Sequence, residues 1–255
     1  NTYLKTMVKQ KVASSAKKNL HPKQINKKSF ELIGHPHRTL ILGKSGSGKT
    51  TLAMEILKSG YLDSFECVYL LASTYKDQPA YDWLEEKIPK ENRFKRLTTL
   101  SLAKIIRKHK KLGKPKTLII IDDQSGEEAL HKNCKGLFAS LIFNARWKNI
   151  SMLVMVHRVT AISPAFRDNL EHLILLNVGS RNQVGLTEKE FNILRYRFQF
   201  LRMYDKEIAK QNMGFIHFDL RAPASIYPQG RIAGKSKKKQ KTELWDSEYG
   251  HEDVL

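Results

Sequence analysis

The chain has 255 residues, of which 41% are hydrophobic and 27% charged, a composition typical of a soluble globular protein with a buried core. No apolar run is long enough to span a membrane, and two isolated cysteines, Cys67 and Cys134, give neither a disulfide framework nor a zinc pattern, so we expect an intracellular, reducing location. The excess of 45 Lys and Arg over 25 Asp and Glu gives a formal net charge of +20, which favours a polyanionic partner. Nucleic acid is favoured over an anionic membrane because no lipidation signal or amphipathic anchor is present, although lysines that only keep the chain soluble would give the same count.

Charge and hydrophobic patterning divide the chain into three parts. Residues 1–34 form a basic arm, with eight lysines and no acid among the first thirty. Residues 35–228 alternate short β-branched runs with helical patterns, which predicts one α/β domain. Residues 229–255 join a lysine tract to an acidic end and are predicted to be disordered, or ordered only by a partner.

The central part predicts a mostly parallel sheet with helices on both faces. Near-continuous apolar runs such as Leu118–Ile121 are typical of strands that are covered on both sides. Strands are predicted at Thr39–Leu42, Cys67–Leu71, Arg96–Leu100, Thr117–Ile121, Met152–Val156, His172–Leu176 and Gly214–Asp219. Helices are predicted at Lys49–Ser59, Tyr81–Ile88, Leu102–Lys111, Cys134–Trp147, Glu188–Arg197 and Phe200–Ala209.

Gly43–Thr50 matches the phosphate-binding loop pattern G-x-x-x-x-G-K-[ST] in full. Glycines let successive backbone N–H groups curl around phosphates, and the helix that follows directs its positive end at the same anion. Lys49 is predicted to reach the β- and γ-phosphates, and the Thr50 hydroxyl to bind Mg²⁺. The alternative, a glycine-rich turn, does not account for the strand before the motif and the helix after it. The predicted nucleotide contacts are Gly43, Lys44, Ser45, Gly46, Ser47, Gly48, Lys49, Thr50 and Thr51.

The apolar run Leu118–Ile121 ends in two carboxylates, Asp122 and Asp123. Such a strand brings an acid to the edge of the sheet beside the phosphate loop, where Asp122 is predicted to hold Mg²⁺ and Asp123 to activate the attacking water. A strand that merely ends in an acidic turn is the alternative. Strands lie between the two motifs in sequence, which is typical of RecA-like NTPases, and a guanine-binding N-K-x-D motif is missing. The sequence therefore predicts an ATPase with a RecA-like fold.

Three further residues are candidates for contact with the transferred phosphate. His157 ends the strand after Asp123 and could sense the γ-phosphate, or be a core histidine. Arg146 precedes that strand and could project into the site of a neighbouring subunit, or be a surface cation. Arg167 could act similarly, or brace its loop.

These segments together resemble the FtsK–HerA superfamily: Gly43–Thr50, Ile120–Asp123, the stretch around Arg146, the strand ending at His157 and Pro164–Asn169. Within it, roughly residues 35–220 resemble the genome-packaging ATPases of nucleocytoplasmic large DNA viruses and virophages, the vaccinia-like packaging group.

The resemblance implies a RecA-like P-loop fold, ATP and Mg²⁺ as cofactors, a homo-oligomeric ring of five or six subunits, and double-stranded DNA as cargo. Capsid proteins are candidate partners, and the viral factory in the host cytoplasm or the virion is the implied location. Arg146 matches the arginine-finger position of the family. His157 stands where the family usually has Gln, and Asp123 where many related motors have Glu.

The leading hypothesis is therefore an ATP-driven motor that moves viral double-stranded DNA into a capsid. Two alternatives stay open: a P-loop ATPase of DNA repair or protein remodelling, and a basic DNA-binding protein switched by nucleotide.

Overall fold

The computed structural model describes residues 34–127, 130, 136–191, 197–209, 214–221 and 225–228. The predicted basic arm, except Gly34, and the predicted tail 229–255 lie outside the described residues, as does Cys134. The other cysteine, Cys67, is a buried free thiol. None of the helices in the described part of the chain is long and apolar enough to cross a membrane.

One sheet of eight strands organises the described residues, in the order β3-β2-β4-β5-β1-β6-β7-β8. The pairs from β3 to β6 are parallel, and β7 and β8 add antiparallel strands at one edge. The predicted mostly parallel sheet is thus confirmed. The strands are β1 Arg38–Leu42, β2 Cys67–Ala72, β3 Arg93–Phe94, β4 Thr117–Asp122, β5 Ile150–Val156, β6 His172–Leu175, β7 Ile216–Asp219 and β8 Ser225–Pro228.

Helices cover both faces of this sheet. Along β4, Leu118 and Ile120 join one buried apolar cluster, whereas Ile119 and Ile121 join another, because successive strand residues point to opposite faces. Burial on both sides explains why the strand is apolar without alternation. The helices are α1 Lys49–Ile56, α2 Asp82–Lys87, α3 Thr99–Lys111, α4 Gly136–Asn144, α5 Pro164–Asp168, α6 Arg181–Phe191 and α7 Arg197–Tyr204.

The predicted strand Arg96–Leu100 is wrong. The strand in this region is Arg93–Phe94, and Thr98 is already the N-cap of α3. Its hydroxyl accepts from the Ser101 N–H at 3.1 Å while the Ser101 hydroxyl accepts from the Thr98 N–H at 2.9 Å, which is a capping box. The β-branched pair Thr98 and Thr99 therefore marks the start of a helix.

Other differences concern element boundaries. Helix α6 begins at Arg181, earlier than the predicted Glu188, and the Ser180 hydroxyl accepts from the Gln183 N–H at 3.3 Å near its start. Helix α1 gives way at Leu57–Tyr61 to a π-helical turn in which Gly60 has a φ of 96°. The short helix α5 and the strand β8 were not predicted.

Parallel pairing places the starts of β1, β4, β5 and β6 at one edge of the sheet, the amino edge, and their ends at the other, the carboxyl edge. His37 follows the basic arm without acidic companions in sequence, which predicts a phosphate contact or a surface position, but it lies at the amino edge of the sheet and is only 2% exposed. Its ring contacts the Tyr61 hydroxyl and, at 2.9 Å, the Thr39 hydroxyl. Burial, followed by the charges of neighbouring His and Arg residues, lowers its pKa well below the usual value, so the expectation was wrong and His37 is a neutral core residue.

Candidate functional site

The phosphate loop follows β1 at the carboxyl edge and is held by the two strands that flank β1. The Gly43 N–H donates to the Val156 carbonyl at 3.2 Å, and the Lys44 N–H donates to the Asn177 carbonyl at 2.7 Å. A Cβ on Gly43 would lie 2.5 Å from the Ser47 hydroxyl, and Gly46 and Gly48 have φ values of 72° and 90°. The loop thus has the curled backbone that a phosphate cradle needs, and only glycine adopts it without strain.

Lys49 begins α1 and turns back into the loop. Its ammonium donates to the Lys44 carbonyl at 3.0 Å and to Nδ1 of His157 at 2.9 Å. Burial lowers the pKa of Lys49, while the charges of Asp122 and Asp123 act in the opposite direction. A cation held this way, among glycine N–H groups, is suited to bind phosphate oxygens.

His157 lies between Lys49 and Asp123. An ammonium can only donate, so Nδ1 of His157 is the acceptor and the ring proton is on Nε2. Nε2 faces Oδ1 of Asp123 at 3.4 Å. The side chains of His157 and Asp123 are 37% and 44% exposed, so water can reach both of them.

Asp122 is buried at the end of β4 and accepts two hydroxyl hydrogen bonds on Oδ2. One comes from Thr50 at 2.9 Å, and the other comes from Tyr81, a fully buried residue that the sequence reasoning missed. Burial raises the pKa of Asp122, against the hydrogen bonds from Tyr81 and Thr50 and the charge of Lys49. Thr50 and Asp122 together present two hard oxygen donors beside the phosphate loop, a set that fits Mg²⁺.

The turn after β4 aims Asp123 at the site. Asp123 has a φ of 52°, one of the rare left-handed values for a residue other than glycine. The Ser73 hydroxyl donates to the Asp123 carbonyl at 3.3 Å and faces its carboxylate at 3.4 Å. Buried Gln124 donates to the Lys95 carbonyl at 3.1 Å and accepts from the Leu97 N–H at 2.7 Å, which ties this turn to the start of α3. The turn is therefore held by long-range contacts.

Arg146 lies far from the phosphate loop of its own chain. It follows α4, ahead of β5 at the amino edge, and donates to Glu171 at 2.7 Å. Glu171 also pairs with Arg38 at 3.4 Å, where β1 begins. About 13 Å of strand separates that level from the phosphate loop, at roughly 3.3 Å per residue. An intramolecular contact of Arg146 with a nucleotide in this loop is thus excluded by the fold.

Arg167 is engaged within its own chain. It donates to the Ile162 carbonyl at 2.7 Å and pairs with Glu190 at 2.9 Å, and its side chain is 14% exposed. These contacts connect the loop after β5 to α6 and support the bracing alternative.

A cleft of about 900 Å³ opens beside the phosphate loop, between the segments that follow β5 and β6. This is within the usual size range of small-molecule sites. The residues that line it include Lys44, Ser45, Ser125, His157, Arg158 and Asn182.

The chain matches one protein family and is similar in fold to several solved structures. Residues 23–214 match the family model described as Poxvirus A32 protein. The DNA-packaging ATPase B204 from Sulfolobus turreted icosahedral virus is similar in structure, with 13% sequence identity, a TM-score of 0.59 and coverage of 78% of this chain and 100% of that chain. B204 from Sulfolobus turreted icosahedral virus 2, in complex with ATP-gammaS, is also similar, with 14% sequence identity, a TM-score of 0.54 and coverage of 78% of this chain and 100% of that chain.

A further similar structure is EssC (ATPases 2 and 3) from Geobacillus thermodenitrificans, with 16% identity, a TM-score of 0.50 and coverage of 84% of this chain and 44% of that chain. At these identities the likeness shows the fold, and the predicted RecA-like P-loop fold is confirmed. A comparison with curated protein sequences gives no match.

Substitutions of Lys49 and of Asp123 are expected to affect nucleotide binding and hydrolysis differently. Lys49→Ala should nearly abolish hydrolysis and weaken nucleotide binding, because the cation that meets the phosphates is lost. Asp123→Asn should bind Mg-ATP about as well as the wild type, since Thr50 and Asp122 remain, while turnover falls about 10²- to 10⁴-fold. Nucleotide titrations alongside hydrolysis rates measure both effects. Equal losses of affinity in the two variants would contradict this division.

Tyr81→Phe is expected to weaken divalent-cation binding about tenfold, because Asp122 loses the hydroxyl that orients its carboxylate. Direct Mn²⁺ binding in the presence of nucleotide measures this independently of turnover. Tyr75→Phe is the matched control, since Tyr75 is buried in the same segment and its hydroxyl makes no hydrogen bond to a described residue. If both variants bind Mn²⁺ like the wild type, Tyr81 does not position Asp122.

Proposed function

The chain belongs to the Poxvirus A32 protein family, and from that membership we propose that it is an ATP-driven motor that moves viral double-stranded DNA into a capsid. The observation that carries the ATPase part of the proposal is the contact of Lys49 with His157 and of His157 with Asp123 beside the phosphate loop. Family membership and the likeness to B204 favour packaging over DNA repair, protein remodelling or a nucleotide switch.

In the proposed reaction, the N–H groups of the phosphate loop and the ammonium of Lys49 bind the β- and γ-phosphates. Lys49 exchanges Nδ1 of His157 for a phosphate oxygen. Thr50 and Asp122 would hold Mg²⁺, which supplies charge neutralisation on the phosphate oxygens. Asp123 accepts the proton of the attacking water, and the Nε2–H of His157 orients its carboxylate.

We place the protein in a homo-oligomeric ring around the DNA, with capsid proteins as further partners and the viral factory or the virion as its location. The proposed ring would give Arg146, which is out of reach of its own nucleotide, a nucleotide on a neighbouring subunit to contact. In that contact Arg146 would exchange Glu171 for phosphate. Arg167 is the second candidate for this role.

Hydrolysis is expected to be stimulated by double-stranded DNA, because a packaging motor couples turnover to its cargo. The ATPase rate of the purified protein with and without double-stranded DNA, measured together with its mass in solution, tests the proposal. A DNA-indifferent ATPase would favour protein remodelling, and a DNA-binding protein without hydrolysis would favour a nucleotide switch.

Arg146→Ala is expected to keep nucleotide binding and to lose about 10³- to 10⁵-fold in turnover, since a finger meets charge that develops in the transition state. Mixing Arg146→Ala subunits with Lys49→Ala subunits should restore part of the hydrolysis, because some junctions then pair an intact phosphate loop with an intact Arg146.

Arg146→Lys separates this role from the ion pair with Glu171. Lysine keeps a cation for Glu171 but lacks the planar guanidinium, so thermal stability should stay close to that of the wild type while turnover remains low. Loss of stability in Arg146→Ala, with no recovery on mixing, would instead assign Arg146 to bracing the amino edge. Recovery in the same test with Arg167→Ala would move the finger to that residue.

A further inference from the structure

Three lysines gather at one corner of the amino edge, where α3 ends and β5 begins. Buried His109 joins the two segments: its Nε2 contacts the Lys148 carbonyl at 2.7 Å, and its carbonyl accepts from the Lys114 N–H at 3.1 Å. We call Lys110, Lys114 and Lys148 around this histidine the basic corner. Trp147, next to Lys148, is 83% exposed.

The charges at the basic corner are all of one sign. Burial lowers the pKa of Lys148, and the charge of Lys110 lowers it further. Burial also lowers the pKa of His109, against the hydrogen bond to the Lys148 carbonyl, and the charges of Lys148 and Lys114 add to the lowering. Among the described residues none of the three lysines forms an ion pair, although Lys108, on the same helix, pairs with Glu91 at 3.3 Å. The fold therefore crowds cations without a carboxylate to balance them, which favours binding of an anion.

The backbone of the basic corner is fixed and strained. Lys114 and Asn149 both have left-handed φ values, 60° and 57°. The side-chain Nδ2 of Asn149 donates to the Lys114 carbonyl at 3.4 Å, and its side-chain Oδ1 contacts Nε2 of His35 at 2.7 Å. A lysine in a conformation that favours glycine is uncommon, and such strain is concentrated at functional sites.

From this geometry we propose that the basic corner is the part of the folded domain that contacts the phosphate backbone of double-stranded DNA. The inference rests on the proposed function, which supplies DNA as the partner. Cations without base-reading geometry bind phosphates regardless of sequence, as a motor that moves along DNA requires.

The position of the basic corner relative to the nucleotide follows from the sheet. Strand β4 begins at Thr117, whose hydroxyl contacts His109 at 3.0 Å, and ends at Asp122, about 17 Å away at roughly 3.3 Å per residue. Strand β5 likewise runs from Ile150 to the residue before His157. DNA and nucleotide would therefore lie at opposite ends of the same two strands.

The test combines Lys110→Gln, Lys114→Gly and Lys148→Gln in the full chain and measures binding of a random-sequence duplex as a function of salt. The negative slope of log affinity against log salt should become shallower by about two to three. Affinity should drop about equally for all duplex sequences. The matched control, Lys76→Gln, Lys87→Gln and Lys90→Gln, removes the same charge from exposed lysines elsewhere and should keep the slope.

Two further measurements keep the outcome decisive. Lys114→Gly alone should fold at least as stably as the wild type, because glycine relieves the left-handed conformation, yet bind DNA more weakly. In a Trp83→Phe, Trp245→Phe protein the single remaining Trp147 should change its fluorescence when the duplex binds.

Equal slopes in the triple variant and its control would overturn the inference. So would a triple variant that keeps DNA affinity but changes its mass in solution, which would make the corner a subunit interface. If the wild-type protein itself does not bind the duplex, the proposed function fails and not the assignment of this corner alone.

Discussion

The parallel pairing of β5 with both β1 and β4 is the constraint on which the rest of the site depends. Leu42 is level with Val156, and Asp122 is level with Met155, so all three strands end at almost the same height. The next residues along the chain are Gly43, Asp123 and His157, which therefore meet at one edge. Residues distant in sequence become a site because three hydrogen-bonded strands share a register, and the apolar clusters on both faces fix that register.

Lys49 and Asp122 each stabilise the charged form of the other. Burial disfavours the charged form of both Lys49 and Asp122, whereas each charge favours the other. Two hydroxyls on one oxygen of Asp122 add to this balance before any ligand arrives. A pre-arranged pair of this kind avoids the cost of reorganising charges during the reaction. It also means that neither partner can be removed without leaving the other as an uncompensated buried charge.

Short sequence patterns predicted the parts of the site that are formed by consecutive residues. The phosphate loop, the apolar strand that ends in Asp122 and Asp123, and the parallel sheet follow from short segments and from their order in the chain. Tyr81 and Gln124 could not be found this way, because their roles depend on contacts with Asp122 and with the Leu97 N–H, which are distant in sequence. The strand expected at Arg96–Leu100 failed because β-branched threonines also cap helices, and only the hydrogen bonds of Thr98 distinguish the two.

The central place of β1 also affects how the protein is made. Leu40 pairs with Val154 on one side and Leu173 on the other, so β1, the first strand among the described residues, waits for partners more than one hundred residues later. Such long-range pairing folds slowly, since loop closure precedes the contacts that stabilise it. A nascent chain that ends before β5 therefore has neither strand partner of β1, and it lacks the Val156 and Asn177 carbonyls that hold the phosphate loop. The phosphate loop therefore becomes able to bind nucleotide only late, together with the rest of the sheet. A chain that stalls during translation before that point exposes an unpaired apolar strand to which chaperones can bind.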